Sequence, residues 1–315
     1  MNCPFPSYLH VLQNSSATLP SKFCVYLVIM LIVTGSVFSQ GLLAVSEAGQ
    51  NRISLNAIDA DFCSGTGSGA KEFNNPAGMD FHDGTLYIAD KGNSRIVAID
   101  GLKGNNWRSF GELGTGMNQF DSPTDIKVGV DGWIYIADAG NDRVVRIRDM
   151  KGKNWQEFGS FGAQLGRFFA PSAIAIGPEG RLFVADKYNN RAVMMENFSG
   201  KKISEFGMDA DFDLPQGIFV DDDGQIFISD YYHSRIIMYE TPESSSFSIF
   251  RWPFYMNKGF RHPIHITSAN KKNLIVANEI AGTIFSLLPG DKPEWNTLTK
   301  VFDKPYGVAV TDWRR

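Results

Sequence analysis

The stretch LYIADKGNSR, from Leu86 to Arg95, decides the fold, because versions of it recur along the whole chain. Each version runs apolar, any, apolar, Ala or Ser, Asp, and all but the one that ends in Thr283 place an Arg five residues after the Asp position. The other copies, two of which carry Glu or Asn in the Asp position, are IYIADAGNDR (134–143), LFVADKYNNR (182–191), IFISDYYHSR (226–235), LAVSEAGQNR (43–52) and LIVANEIAGT (274–283). A repeat of this length is typical of solenoids and propellers.

A proline opens a short alternating strand before each copy but the first, and once more near the C-terminus. These prolines are Pro76, Pro123, Pro171, Pro215, Pro263 and Pro305. A tight turn with Asp-Gly or Glu-Gly follows the first four, which is a strong hairpin signal. A third strand starts at the Arg, and a fourth, outer segment carries Trp or Phe before Gly. Each unit therefore predicts four short antiparallel strands, which form a propeller blade.

The two ends of the repeat complement each other. The copy at Leu43–Arg52 has no proline strand before it, and the strand Pro305–Val310 has no Asp–Arg segment after it. We expect these two segments to share one blade and to close six blades into an all-β ring. Closure removes exposed strand edges, so we also expect a monomer.

These motifs resemble the NHL repeat family of six-bladed propellers. The resemblance covers Leu42 to Val310 and rests on the Pro-x-Gly strand start, the Asp-Gly turn and the Ala-Asp…Asn-x-Arg core. Gly- and Phe-rich connectors such as FGELGTGMNQFDSP (110–123) add to it. The resemblance implies a propeller over residues 40–315, with a role as a binding scaffold, as an RNA-binding domain or, in some propellers, as an enzyme.

Residues 1–39 differ in composition from the rest of the chain. Lys22 is their only charged residue, and an apolar run follows from Phe23 to Val33. With small or apolar residues before Gln40, this pattern predicts a cleaved secretory signal and a secreted or extracytoplasmic protein. An uncleaved signal anchor, which would make a single-pass membrane protein, is the alternative, although the run is short against the roughly 20 residues that span a bilayer. Asn197-Phe-Ser199 is a glycosylation sequon on a eukaryotic secretory route.

The charge distribution disfavours a nucleic-acid partner. The formal net charge is −4, so the protein has no global basic field. Its basic residues fall mostly on third strands and the turns after them, interleaved with acids, which is typical of a solvated surface. The residues in question are Lys103, Arg108, Arg146, Arg148, Lys151, Lys153, Lys201 and Lys202. RNA binding is therefore the least favoured of the roles that the resemblance implies.

The repeated polar residues predict structure rather than catalysis, because a reactive group has no need of several equivalent copies. We expect Asp90 and its equivalents to accept N–H bonds of the following turn and to lie beside the next Arg. Asn93 and Gly92, with their counterparts Asn141, Asn189 and Gly140, are expected to supply the positive φ of that turn.

The sequence assigns no catalytic residue and no cofactor. Amidating lyases with this fold place metal-binding histidines directly after the blade-opening prolines. This chain has none there, its residues being Ala77, Thr124, Ser172, Gln216, Ile264 and Tyr306. Asp125 and His265, one position further on, are weak candidates for a metal site in the central channel, and Asp80 adds one more acid. An extracytoplasmic enzyme of lyase or lactonase type stays the alternative function.

The turns of blades 4 to 6 depart from the repeat and mark the predicted binding face. Turns, connectors and strand starts share one side of a propeller, so we expect a surface there that binds a protein or a glycan. Trp and Tyr are enriched at the centres of interfaces. The predicted members are Tyr188, Tyr231, Tyr232, His233, Trp252, Phe254, Tyr255 and Tyr306. Packing between blades, as expected for Phe120 and Phe168, is the other interpretation of Trp252 and Phe254.

Overall fold

Six four-stranded antiparallel sheets form the blades of a β-propeller, as the repeat predicts. The structure, a computed structural model, describes residues 41–55, 61–64, 66–101, 105–251, 261–270, 273–280, 282–290, 292–298, 302 and 304–312. The predicted signal segment and the predicted face residues Trp252, Phe254 and Tyr255 lie outside this part. Among the described residues, no helix is long and apolar enough to cross a bilayer.

Each blade runs from an inner strand at the channel to an outer strand at the rim. In that order, blade 1 consists of Pro305–Asp312, Gly41–Glu47, Arg52–Leu55 and Asp61–Ser64; blade 2 of Pro76–His82, Thr85–Asp90, Arg95–Asp100 and Asn105–Phe110; blade 3 of Pro123–Val128, Ile134–Asp138, Arg143–Ile147 and Gln156–Phe158. Blade 4 consists of Pro171–Ile176, Leu182–Asp186, Arg191–Met195 and Ile203–Phe206; blade 5 of Pro215–Val220, Ile226–Asp230, Arg235–Tyr239 and Ser248–Arg251; blade 6 of Pro263–Asn270, Asn273–Asn278, Thr283–Leu288 and Glu294–Thr297.

The ring closes by pairing of the N-terminal and C-terminal segments. Gly41–Glu47 runs antiparallel to Pro305–Asp312, with Gly41 opposite Asp312 and Glu47 opposite Pro305. Neighbouring inner strands contact each other in sequence order, and the last strand contacts both blade 6 and blade 2. The predicted closure is therefore present.

The apolar core is divided among the interfaces between neighbouring blades. Each buried cluster draws its residues mainly from two adjacent blades. The closure interface between blades 6 and 1 is built in the same way, from Leu43, Val45, Ile275, Ile284 and Val308, all fully buried. Since apolar burial is the main stabilising contribution, the closing interface helps to hold the ring as the others do. Phe120 and Phe168 pack between blades, as expected.

The repeated Asp fastens each connector to the blade that follows it. In blade 3, Asp138 Oδ1 accepts the N–H of Asp121, two residues before the blade-opening proline, at 2.7 Å. Its Oδ2 accepts bonds from Asn141 Nδ2 and Arg143 Nε, both at 2.8 Å. The expected bonds from the turn's own N–H groups are replaced by this connector bond. The same bond recurs from Asn74 to Asp90, Phe169 to Asp186 and Asp213 to Asp230.

The repeated Arg also binds the connector, through its backbone carbonyls. The Asp and Arg together with their connector bonds are termed the clip. Arg143 donates from Nη1 to Thr115 O at 2.8 Å and from Nη2 to Gln119 O at 2.9 Å. The arginines of blades 2, 4 and 5 make corresponding bonds. The planar guanidinium suits this task because it presents several donors in a fixed fork. The Asp–Arg repeat thus fixes the path from one blade to the next.

Two sequence expectations for the turn are wrong. The positive φ lies one residue after the Asn, at Ser94 (φ 50°) and Asp142 (φ 53°), because the Asn side chain is engaged with the Asp carboxylate. Gly92 and Gly140 have no positive φ. A Cβ on Gly92 would lie 2.6 Å from Asn74 O, so close approach of the connector is what requires glycine there.

Candidate functional site

The side of the disc that carries the blade-opening prolines is termed the proline face, and the opposite side the turn face. The connectors and the turns between second and third strands lie on the proline face. Most of the exposed large apolar side chains in the described part of the chain belong to these segments. They are Leu113, Met117, Phe161, Leu165, Phe169, Tyr188, Met208, Tyr232 and Ile280.

A first aromatic cluster joins blades 5 and 6. Tyr231 stacks on His262 with ring centroids 4.3 Å apart, and Tyr232 lies 5.1 Å from Tyr231 in an edge-on arrangement. Tyr231 Oη donates to Glu279 Oε2 at 2.7 Å. Burial raises the pKa of Tyr231, and the Glu279 carboxylate raises it further, so this phenol stays protonated. The cluster leaves Tyr232 55 % exposed.

A second aromatic cluster lies at the junction of blades 3 and 4. Phe161 meets Phe169 edge-on with centroids 5.1 Å apart, and Phe169 lies 4.8 Å from Tyr188. Lys187 Nζ sits 5.0 Å from the Tyr188 ring centroid. Phe161 is 62 % exposed, so this cluster presents an apolar edge to solvent.

The structure therefore divides the described members of the predicted patch into separate groups. In the described residues, no ring contact joins Tyr188 to Tyr231 or Tyr232. His233 takes the position of the repeat Asn and lies 3.0 Å from Asp230 Oδ2 through its Nδ1, so its ring belongs to the clip. Tyr306 lies at the mouth of the central channel, with Lys91 Nζ 5.8 Å from its ring centroid.

Sequence reasoning missed three contributors to these clusters, namely Phe161, Phe169 and His262. The connectors after blades 2 and 3 carried the signal for Phe161, since Leu113 and Met117 align with Phe161 and Leu165 in a shared Phe-Gly-x-apolar-Gly pattern. His262 precedes a blade-opening proline and has a φ of 60°. Nothing in the sequence shows that this backbone turns its ring onto Tyr231.

Asp125 and His265 meet across the central channel. They hold the same position in the inner strands of blades 3 and 6, which face each other in a ring of six. The remaining blades have Gly78, Ala173, Gly217 or Gly307 there. A Cβ on Gly78 would lie 2.2 Å from Asp125 Oδ1, so the absence of a side chain makes room for the carboxylate. His265 Nε2 lies 3.5 Å from Asp125 Oδ1, and both residues are buried.

Lys127 occupies the position between these two side chains. Its Nζ lies 3.1 Å from Asp125 Oδ1 and 3.2 Å from His265 Nε2, and it donates to Met79 O at 3.1 Å. Burial alone would raise the pKa of Asp125, but the Lys127 ammonium and His265 hold it below its ordinary value. Burial, assisted by Lys127, lowers the pKa of His265.

This donor set does not fit a metal ion. The Lys127 ammonium already supplies the positive charge beside Asp125 and His265, and Asp125 Oδ2 accepts the N–H of Ile174 at 3.0 Å. Within the described ranges, no group of three or more His, Cys, Asp or Glu is placed to hold a metal. The arrangement can bridge two opposite blades, which is a structural role.

Several basic residues of the turn face lie against aromatic rings or pair with acids. A cleft of about 700 Å³ between blades 3, 4 and 5 is lined by Arg146 together with several acids, among them Asp131 and Asp221. The Arg146 guanidinium lies 4.2 Å from the Trp133 ring centroid and 4.7 Å from that of Phe198. Arg108 pairs with Asp100, and Lys202 with Glu196. Such a surface gives no support to RNA binding.

Comparison with known proteins establishes the fold. No family model matches the sequence, and no curated protein matches it. A chain in the crystal structure of a nidogen/laminin complex superimposes with a TM-score of 0.65 at 17% identity, covering 86% of this chain and 98% of that one. Virginiamycin B lyase from Staphylococcus aureus superimposes with a TM-score of 0.61 at 19% identity, covering 85% of each chain. A streptogramin B lyase gives 0.59 at 14%, covering 84% of this chain and 76% of that one.

Proposed function

We propose that this protein is a secreted propeller of NHL type that binds a protein partner through its proline face. The observation that carries the proposal is the concentration of exposed aromatic and aliphatic side chains on that face. Scattered apolar residues are normal on a protein surface, but many on one face mark interaction sites. One structural neighbour belongs to a nidogen/laminin complex, so this fold occurs within a protein complex.

A protein partner fits this face better than a glycan does. The exposed residues extend over the connectors of blades 2 to 4 and include aliphatic side chains such as Leu113, Met117 and Leu165. A sugar is recognised by one or two rings with polar groups around them, whereas a broad apolar rim suits a large protein interface. The aromatic clusters at Tyr232 and Phe161 are the expected anchors.

The position of the glycosylation sequon agrees with binding through the proline face. Asn197 is exposed in the turn after the third strand of blade 4, which lies on the turn face. A glycan at this position would cover the turn face and leave the proline face free. Secretion rests on the N-terminal pattern of residues 1–39, and mass spectrometry of the secreted protein would show whether the chain begins at Gln40.

The proposal is tested by affinity purification of the protein from its native secretory source, with quantitative mass spectrometry. Tyr232→Ala and Phe161→Ala each remove one exposed ring. We expect each variant to lose the same co-purifying protein while keeping the melting temperature of the wild type. Loss of a hot-spot ring costs about 2 kcal/mol or more, so the affinity for the partner falls on the order of 30-fold and its recovery falls with it.

A matched control comes from the turn face. Val130 is 95 % exposed in the first turn of blade 3, so Val130→Ala removes apolar surface without touching the proline face. The control variant should recover the partner at the wild-type level. Retention of every partner by both ring variants, or equal loss in the control, would overturn the proposal.

A further inference from the structure

The residue after each repeated Asp stands at the mouth of the central channel on the proline face. Around the ring, from blade 1 to blade 6, these residues are Ala48, Lys91, Ala139, Lys187, Tyr231 and Glu279. Lys91 and Lys187 flank blade 3, where Ala139 leaves space between them. Tyr306, at the start of the blade 1 inner strand, lies beneath Lys91. The mouth therefore has two ammonium groups on one side and one carboxylate on the other.

The polar groups on the lysine side have no hydrogen-bond partner among the residues that the structure describes. Within the part of the chain that the structure describes, neither Lys91 Nζ nor Lys187 Nζ lies within 4.0 Å of a carboxylate oxygen. The Tyr306 hydroxyl makes no hydrogen bond there either. Glu279, by contrast, already accepts a bond from Tyr231 at 2.7 Å. These three donors thus have no hydrogen-bond acceptor among the described residues; Lys187 Nζ also lies 5.0 Å from the Tyr188 ring centroid.

The two lysines act on each other electrostatically. Burial lowers the pKa of Lys91, and the positive charge of Lys187 lowers it further. Burial also lowers the pKa of Lys187, while Glu279 opposes the change in both. Burial and the nearby acids raise the pKa of Tyr306, so its hydroxyl remains a donor. An anion placed between the lysines would relieve their repulsion and their loss of solvent together.

We propose that the channel mouth is a binding site for a monoanionic carboxylate ligand, held by Lys91, Lys187 and Tyr306. The binding test for this site needs no protein partner, so it is separate from the test of the proposed function, even though Lys187 and Tyr231 also contact the two aromatic clusters. Two lysines and Glu279 give the mouth a net charge of +1, which matches one carboxylate better than a doubly charged phosphate. The ligand's remaining atoms would lie against the rings of Tyr231 and Tyr306.

Benzoate is a suitable probe, and uncharged benzamide is its matched control. Binding to the purified protein is measured by saturation-transfer NMR in low-chloride buffer. We expect saturable binding of benzoate and none of benzamide. Lys91→Gln and Lys187→Gln should each weaken benzoate binding roughly threefold to tenfold, because each removes one charge-assisted bond at a partly exposed site.

Two further variants keep the test decisive. Lys91→Arg retains the charge and should retain most of the affinity, whereas Lys201→Gln, an exposed lysine on the turn face, should change nothing. Thermal melting verifies that each variant is folded. The inference is overturned if the wild type does not bind benzoate, if benzamide binds equally well, or if both glutamine variants keep the wild-type affinity. Inorganic phosphate binding more tightly than benzoate would contradict the assignment to a monoanion.

Discussion

At the scale of single residues, His265 in the central channel makes the stability of the protein depend on pH. Its ring is buried against Asp125 and Lys127, with Asp80 nearby, and burial lowers its pKa. Below its ordinary pKa of about 6.5, His265 takes up a proton in the unfolded chain before it does so in the folded one. Stability contributed by this group is therefore present above that pH and is lost as the pH falls.

We expect His265→Gln to flatten the loss of stability between pH 7 and pH 5. One proton taken up only by the unfolded chain gives a slope of at most about 1.4 kcal/mol per pH unit. Chemical denaturation at several pH values measures the slope. Val130→Ala, which changes an exposed residue and no titratable group, is the control and should keep the wild-type slope. A His265→Gln slope equal to that of the wild type would contradict this assignment.

Arg143 should be irreplaceable by lysine in spite of the equal charge. Its guanidinium binds Asp138, Glu157 and three connector carbonyls, and a lysine ammonium cannot reach all of them. We expect Arg143→Lys to destabilise the protein by about 2 to 4 kcal/mol, since buried groups lose their partners. Urea denaturation measures the change. Arg167→Lys, at an exposed position, is the control. If Arg143→Lys changed the free energy of unfolding as little as Arg167→Lys does, the proposed role of the clip would be contradicted.

The polar residues show how far sequence reasoning reaches at this scale. Asp125 and His265 stand out because the other blades have Gly or Ala in that position, and this contrast is visible in the sequence. The contact between Asp125 and His265 cannot be seen in the sequence, because it depends on the channel being narrow enough for side chains of blades 3 and 6 to touch. The reason for Gly92 was also hidden, since a close approach of Asn74 leaves no trace in the local pattern.

At the scale of elements, the connectors have strict packing requirements. Gly111 has a φ of 103°, and a Cβ there would lie 2.4 Å from the Phe120 ring. Gly84 also has a positive φ, but nothing lies within 4 Å of its Cβ position. Both substitutions therefore incur backbone strain, and only the one at Gly111 adds steric overlap with a neighbouring ring.

We expect Gly84→Ala to cost about 1 kcal/mol and Gly111→Ala roughly 2 to 4 kcal/mol, the difference being the overpacking of Phe120. Differences in denaturation midpoint, at equal denaturant dependence, provide the measurement. Equal costs for the two variants would show that the connector yields to the added methyl group. In that event, Phe120 would not fix the path between blades 2 and 3.

Blades and turns were predictable from the sequence because each has a short-range signal, such as proline, Asp-Gly or alternating apolar residues. The surface that the connectors form was less predictable from the sequence. The predicted single aromatic patch is divided into clusters at Tyr232 and at Phe161, since ring contacts depend on the angle between blades. Tyr188 and Tyr232 share one position in the repeat, yet Tyr188 contacts Phe169 in the connector before its blade and Tyr232 contacts His262 in the connector after its blade.

At the scale of the whole molecule, closure depends on the last strand. Pro305–Asp312 pairs with Gly41–Glu47 and supplies Val308 to the core between blades 6 and 1. We expect a chain that ends at Lys304 to expose two strand edges and to aggregate, which size-exclusion chromatography detects. A chain that ends at Asp312 is the control and should stay monomeric. A monomeric truncation at Lys304 with an unchanged melting temperature would contradict closure by this pairing.

The central claim, that the proline face is the binding surface, is tested most directly by hydrogen–deuterium exchange on the complex with the co-purified partner. The account predicts slower exchange in the connectors 111–122, 159–170 and 207–214 and in the turn 231–234. The turns 129–132 and 221–224 on the opposite face should exchange at the rate of the free protein. Slower exchange confined to the turn face, with the connectors unchanged, would contradict it.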